Sequence, residues 1–296
     1  MISIVICSIN ENYLSQVKEN ISSTIGVEYE LLIWDNLQDS KGICEVYNIM
    51  ASQARYEYVC FLHEDILFET SDWGHKISSI FQNRPDIGVI GVAGSKYKSS
   101  YLSGWYSGVK ELDCANIVHR YSWGDEHVLL NPSPESNLEE VVCIDGVFIC
   151  CRKKIWEQIT FDQENLTGFH FYDIDFSTRA ASICKVAVSF EILITHITKG
   201  GDFGDSWVKI AIDYHKLHGK KLPVYINGYA NSGADKQIIK AWLDVLKNYR
   251  ISWRNKFNWL ATQKLFAKPR LYYSVLKFLL YKPLGLRYIH KSVKRK

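Results

Sequence analysis

Tyr58-Val59-Cys60-Phe61-Leu62-His63-Glu64-Asp65 is an apolar run that stops abruptly at three titratable residues. In an extended strand Val59, Phe61 and His63 share one face, and Tyr58, Cys60, Leu62 and Glu64 share the other. Both faces are therefore apolar until the end, the pattern of a central strand covered on two sides in a parallel sheet. Open α/β sheets bind ligands just outside the carboxyl ends of such strands, which is where His63, Glu64 and Asp65 fall. Asp65 then lies beyond the apolar contacts, free to hold a cation. The competing reading is that an acidic pair after a strand caps the next helix.

Outward from this stretch the chain alternates strand and helix. Ile2-Ser3-Ile4-Val5-Ile6-Cys7 is a strand with a polar end at Ser8, followed by a helical pattern through Leu14, Val17 and Ile21. Glu30 to Asn36 is a second buried strand stopped at Asp35-Asn36, and Ile43 to Ala54 is a helix with Val46, Ile49 and Met50 on one face. Such alternation predicts right-handed crossovers and a parallel sheet. Ser8, Asp35-Asn36 and His63-Glu64-Asp65 then share one rim, and three strand ends converging there favour a nucleotide pocket over three unrelated caps.

Ile87 to Val92 is a further strand, after which Lys96 to Pro134 is irregular and rich in Tyr, Trp, Gly and Ser. Loops of this kind carry function more often than packing. Trp105 and Trp123 are suited either to stack on a sugar ring or to anchor the loop. Strand character resumes from Val141 to Ile149, and Asp145-Gly146 within it marks a hairpin turn, a tight turn or a close backbone approach to a ligand. Phe169 to Phe176 holds a second acidic site, Asp173 and Asp175, with Arg179 beyond. On a helix beginning there, Asp173 sits in the first turn, where the helix dipole favours its charged form. Capping accounts for one carboxylate but less readily for both. A strand over 186–194 then delivers His196 beside Gly200-Gly201, as a metal ligand or a simple hydrogen-bonder.

The 296 residues are 47% hydrophobic and 14% aromatic, which excludes disorder and suffices for a large core. Eight cysteines at irregular spacing give neither a CxxC metal pattern nor a compact disulfide framework. Met1 leads straight into the first strand with no basic segment or apolar leader, which predicts a reduced, cytoplasmic location. The net charge of +3 divides into −11 before Asp235 and +14 from Asp235 onward. An acidic body with a basic tail predicts two working surfaces.

Taken together these residues resemble a GT-A glycosyltransferase of the family 2 type, in the bacterial glycosyltransferase-like branch where Asp-x-Asp reads His-Glu-Asp. The resemblance runs from Met1 to about Gly201. The first strand with Ser8, the Trp34-Asp35-Asn36 strand end, Asn48 and Cys60 to Asp65 match the nucleotide half. Gly146-Val147-Phe148 through Arg152, Phe161-Asp162 and Tyr172-Asp173-Ile174-Asp175 with Arg179 match the acceptor half. It implies a mostly parallel α/β sheet with helices on both faces, and transfer of a sugar from a nucleotide-sugar, most simply a UDP-sugar, to a glycan or lipid-linked hydroxyl. Ser8, Asp35, Asn48, His63, Glu64 and Asp65 would bind the donor, and Asp65 with His196 would hold Mn²⁺ or Mg²⁺. Asp173 would deprotonate the acceptor hydroxyl and give inversion. Asp145, Gly146, Tyr172, Asp175 and Trp105 would line the acceptor or sugar site. His63 stands where the usual motif has its first acidic residue, and Tyr172 where it has Glu before the base. A sugar-phosphate nucleotidyltransferase is the main alternative, but Ser8 to Asn12 lacks the Gly-rich basic loop that such enzymes use on a triphosphate. A non-catalytic carbohydrate-binding protein on this fold is the other, and it would not need Asp65 and Asp173.

These readings divide the chain into a catalytic unit over 1–234, with its nucleotide half over about 1–95 and its acceptor half over about 96–234, and a basic helical extension over 235–296. Ile238, Ile239, Trp242, Leu243 and Leu246 recur at helical spacing, as do Tyr272, Val275, Leu276, Leu279 and Leu280. The run from Leu271 to Tyr281 is too short and too charged to span a bilayer. It suits an anionic membrane surface, as does the Lys and Arg excess, while Ile238 to Leu246 is expected to pack on the core. No nucleic-acid motif is present.

Overall fold

The structure is a computed structural model that describes residues 1–201, 203–229 and 232–281. In chain order its elements are β1 (Ile2–Ser8), α1 (Glu11–Thr24), β2 (Tyr29–Asp35), α2 (Ile43–Ser52), β3 (Tyr58–Leu62), β4 (Ile66–Phe68), α3 (Trp73–Asn83) and β5 (Ile87–Gly91). Then come β6 (Ala93–Ser95), β7 (Tyr97–Lys98), β8 (Asp113–Tyr121), β9 (Gly124–Leu130), β10 (Leu138–Val141), β11 (Cys143–Ile144), β12 (Phe148–Arg152), α4 (Lys153–Ile159) and α5 (Tyr172–Ala180). The chain continues through β13 (Lys185–Ser189), β14 (Ile194–Ile197), α6 (Asp205–His218), β15 (Val224–Tyr225), α7 (Ser232–Leu246), α8 (Trp253–Thr262) and α9 (Tyr272–Leu280).

The main sheet has the order β10-β13-β5-β12-β3-β1-β2. Strands β1, β2 and β3 run parallel, as do β5 and β13, whereas β12 is antiparallel to both neighbours and β10 to β13. The apolar β3 is central, and all five of its residues are buried. Val59 and Phe61 join one apolar cluster with α2 and α5; Tyr58, Cys60 and Leu62 join a second with Val17 and Ile21 of α1 and Trp73 and Ile77 of α3. Two-sided burial is what a strand without polar alternation requires. The register Ser8↔Asp35 aligns the carboxyl ends of β1 and β2, so the expected rim exists.

A second sheet, β11-β6-β8-β14-β4 with β9 on β8, stands against this rim. Two sequence expectations change here. The stretch 96–134 is not irregular throughout, because it contains the long β8–β9 hairpin, whose outer strand Gly124–Leu130 is charged and partly exposed as edge strands tend to be. The strand expected over 186–194 is two, β13 in the main sheet and β14 in the second, and His196 lies within β14.

The residues from Asp235 are built onto the body. Ile238, Ile239, Trp242, Leu243 and Leu246 are buried, as expected, and belong to the same cluster as Trp207, Trp259 and Phe278. Trp242 stacks on Trp207 at 5.0 Å with planes 4° apart. In α9 the buried residues are Val275 and Phe278, while Tyr272, Tyr273, Leu276 and Leu280 are exposed. Residues 282–296, which carry part of the tail's charge, lie outside the described residues. Among the described residues no helix is long and apolar enough to cross a membrane, and all eight cysteines are free.

Candidate active site

Strand β3 ends at Leu62, and the chain bends through His63, Glu64 and Asp65 into β4. Pairing of β4 with β14 sets Ile66 opposite His196, and the Ile197 N–H donates to the Asp65 carbonyl at 2.8 Å. The two sheets therefore bring three side chains together. His196 Nε2 lies 3.5 Å and His63 Nδ1 3.9 Å from Asp65 Oδ1, and one ligand atom from each residue lies within 4.8 Å of the others. Burial pushes Asp65 up, but His196 and His63 outweigh it and hold the carboxyl below its ordinary value. Burial also works against the charge on His196, yet Asp65 raises its pKa, while burial dominates at His63 and lowers it.

Asp65 Oδ1 is buried, and the imidazoles that face it, His196 at 3.5 Å and His63 at 3.9 Å, stand farther off than a good hydrogen bond. A buried carboxylate oxygen so loosely paired is costly unless something else satisfies it. Two imidazoles and one carboxylate converging on such a point form a donor set that fits a divalent cation. The ring of His63 is fixed from behind, its Nε2 lying 2.7 Å from Tyr172 Oη, as metal-binding histidines are oriented by a second contact. The sequence reading had Asp65 and His196 as ligands and His63 on the nucleotide-sugar; the structure adds His63 to the cluster. The signal was present, since residues 63 and 65 are two apart and so share a side of an extended chain.

The second acidic site meets the first through Tyr172. Helix α5 begins there, after Phe171 in a left-handed conformation at φ 67°. Such a conformation in a bulky residue costs energy and tends to mark functional sites. Asp173 is buried; its Oδ2 accepts the Gly146 N–H at 2.9 Å and its Oδ1 the Ile174 N–H at 2.8 Å. Burial, reinforced by the charge of Asp145, pushes Asp173 up to about 7 against the pull of those two N–H groups. Asp145 accepts the Val147 N–H at 3.2 Å. The Asp145-Gly146 pair is no hairpin, because β11 and β12 lie in different sheets. It is a close backbone approach, since a Cβ on Gly146 would overlap the Tyr172 hydroxyl.

The other expected site residues make the following contacts within the protein. Glu64 accepts from Ser8 Oγ at 2.6 Å and Asn10 N–H at 3.0 Å, and also from the Ile9 N–H, so it clamps the β1–α1 loop and occupies the Ser8 hydroxyl. Asn48 donates to Phe161 O and Gln163 Oε1 and accepts from Trp156 Nε1 and Phe161 N–H. That exhausts an amide side chain, so Asn48 ties α2 to the segment after α4 and has nothing left for a nucleotide. Asp175, expected at the acceptor, is 1% exposed and paired with Arg179 at 2.6 Å and His218 at 3.3 Å, a buried ion pair inside the fold. Asp35 is exposed at the rim with its carboxylate accepting the Leu37 N–H at 3.0 Å. Trp105 is half-buried against both apolar clusters, and its carbonyl accepts from Cys143 two residues before Asp145.

The model of a family described as glycosyltransferase-like matches residues 3–209. Among solved structures, GalNAc-T7 with UDP, GalNAc and Mn²⁺ aligns with a TM-score of 0.50 at 11% identity, over 93% of this chain and 58% of its own. TarS of S. aureus aligns with a TM-score of 0.51 at 12% identity, over 93% of this chain and 53% of its own. The chain thus spans little more than half the length of these two structures. No curated protein matches the sequence.

Proposed function

The chain belongs to the glycosyltransferase-like family and has the GT-A fold, and from that premise we propose that it moves a sugar from a nucleotide-sugar to an acceptor hydroxyl. The observation that carries this reading is the junction at Tyr172: its hydroxyl holds His63 of the cation cluster, and its neighbour Asp173 is the buried carboxylate with the raised pKa. One residue thus joins a place for a diphosphate's counter-ion to a place for a base.

His63, Asp65 and His196 would hold the cation, which when bound supplies positive charge to offset that on a departing nucleoside diphosphate. Two imidazoles with one carboxylate suit Mn²⁺ better than Mg²⁺, which prefers oxygen ligands. GalNAc-T7, solved with UDP and Mn²⁺, supports a UDP-sugar and that ion. Asp35 on the exposed rim would contact the nucleoside. Asp173 takes the proton from the acceptor hydroxyl as that oxygen attacks the anomeric carbon, and its pKa of about 7 suits a base acting near neutral pH. One displacement inverts the anomeric centre. The nucleotidyltransferase alternative loses ground in the β1–α1 loop, where Glu64 already takes the amides of Ile9 and Asn10 that a triphosphate would need.

The expected outcome is that the full chain binds UDP in a Mn²⁺-dependent way, measured by calorimetry, and that Asp65→Ala abolishes this. Asp173→Asn keeps UDP binding and lowers turnover ~10²–10⁴-fold. Product from an α-linked donor shows a β linkage by proton NMR. Mn²⁺-independent UDP binding, or undiminished turnover in Asp173→Asn, would refute the assignment.

The acceptor in this reading is a glycan or lipid-linked glycan of bacterial surface polysaccharide synthesis, met at the inner face of the cell membrane. Support for a membrane station comes from the C-terminal helices. Trp253, Phe257 and Phe266 are all exposed, with ring centroids 6.1 and 6.0 Å apart in succession. Residues 245–296 carry fourteen Lys and Arg and no Asp or Glu. Exposed aromatics amid basic residues suit the interface of an anionic bilayer.

A further inference from the structure

An imidazole binds a cation only through a nitrogen that carries no hydrogen, so its tautomer matters as much as its position. The nitrogen of His63 that faces Asp65 is Nδ1, at 3.9 Å, and the other, Nε2, lies 2.7 Å from Tyr172 Oη. Beyond Tyr172 the contacts continue inward. Its hydroxyl is bonded to that of Tyr47 on α2, and the Tyr47 hydroxyl donates to the Leu62 carbonyl at 3.4 Å. Leu62 is the last residue of β3, and its carbonyl belongs to the peptide bond that leads into His63. The side chain of His63 is thus tied, through hydroxyls from α5 and α2, back to its own backbone.

Both tyrosines are buried, at 4% exposure for Tyr172 and 0% for Tyr47, and a buried chain of hydroxyls has few ways to place its hydrogens. A carbonyl can only accept, and each phenol has one hydrogen to give. With the Tyr47 hydrogen on Leu62, the Tyr47 oxygen is the acceptor for Tyr172. Tyr172 then has no hydrogen left for the imidazole and must accept from an Nε2–H. Nδ1 is left bare on the side of Asp65. The reverse order takes the Tyr47 hydrogen off the Leu62 carbonyl and points an Nδ1–H at Asp65 Oδ1, which at 3.9 Å is beyond hydrogen-bond reach. The first order therefore makes three hydrogen bonds and the second two. A bare Nδ1 opposite a carboxylate sets two electron-rich atoms against each other, a conflict that a cation between them relieves.

We propose that Tyr47 is a positioning residue for the cation: by passing the Tyr172 hydrogen on toward the Leu62 carbonyl, it keeps the hydrogen of His63 on Nε2 and Nδ1 open as a ligand. This rests on the cation-dependent reading above and adds to it a residue that acts only through Tyr172. The ring of Tyr47 has a separate task in the core, its centroid 4.9 Å from that of Phe61 and 5.3 Å from that of Phe161. Tyr47→Phe removes the hydroxyl and keeps that packing.

The test is proton–nitrogen correlation NMR of the full chain with isotope-labelled histidine, at neutral pH and without cation, the His63 signals being assigned by their loss in His63→Gln. The parent is expected to show the Nε2–H tautomer. In Tyr47→Phe the Tyr172 hydrogen has no acceptor but Nε2, so the His63 hydrogen moves to Nδ1 and Mn²⁺ affinity, measured by calorimetry, falls about 10-fold. A purely structural role for Tyr47 would lower stability without moving that hydrogen. An Nδ1–H in the parent, or a Tyr47→Phe protein with the parent's tautomer or undiminished Mn²⁺ affinity, would overturn the proposal; the parent spectrum decides even where the variant does not fold. Failure of the transferase reading is seen separately, as absence of Mn²⁺-dependent UDP binding in a parent chain whose His63 carries the Nε2–H.

Discussion

Asp173 shows how much a single carboxyl can reveal and how little of that is written locally. Its place in the first turn of a helix was legible from the residues around it. Its raised pKa was not, because the causes are burial and Asp145, which is distant in sequence. The same holds for His63, whose partner Tyr172 lies 109 residues away. The contacts of Asn48 and Glu64 inside the protein were not legible either, because polar residues near a strand rim look alike whether they face a ligand or the protein's own amides. If Asp173 is the base, turnover at saturating donor and acceptor rises with pH to a plateau above about 7. Asp145→Asn removes the neighbouring negative charge, so the midpoint of that rise moves to lower pH, while Asp173→Asn abolishes the rise. A stability effect runs the other way. The folded carboxyl keeps its proton up to about 7 and the unfolded one only to 3.8, so this group favours the folded state below that lower value and loses its contribution as pH climbs between them. A pH–rate profile of the three proteins decides, and an unchanged midpoint in Asp145→Asn would count against the electrostatic cause.

Among the elements, the turn between β11 and β12 is the joint on which the site depends. It passes from one sheet to the other, lays Gly146 against Tyr172 and offers the Gly146 N–H to Asp173. Gly146→Ala forces its methyl group into the tyrosine hydroxyl. The expected result is a loss of about 1–3 kcal/mol of stability in urea unfolding, as for other overpacked sites. Displacing Tyr172 also frees the His63 ring, so Mn²⁺ affinity falls with it. Tyr172→Phe removes the hydroxyl, and with it the contacts to His63 and Tyr47, without adding bulk, and undiminished Mn²⁺ affinity in that variant would show that the hydroxyl does not orient the ring. Long elements such as α1, α2 and β3 were legible because their apolar spacing is sustained. The second sheet was not, since β4, β6 and β11 are three residues or fewer and leave no periodic trace.

On the scale of the whole molecule, the basic extension and the catalytic body share one core, so the extension cannot be trimmed freely. A chain ending near Lys268 would lose α9 and the buried Val275 and Phe278, whereas one ending at Tyr281 keeps them. The full chain is expected to sediment with vesicles containing anionic lipid and to be released by salt. Trp253→Ser with Phe257→Ser, both exposed, reduces that binding, and the chain ending at Tyr281 binds less for want of its last basic residues. Equal sedimentation of all three, or none by the parent, would end the membrane reading. The alternating order of β1 to β5 made a parallel sheet legible, but not the reversed strand at its heart. Strand β12 sits between β3 and β5, yet it is read from the message long after both. A ribosome that has released the first ninety or so residues has therefore made a sheet with a missing centre, its two flanks unable to close on each other. The sheet is closed only when residues 148–152 have arrived to fill the gap, so the strands made first do not form its centre by themselves.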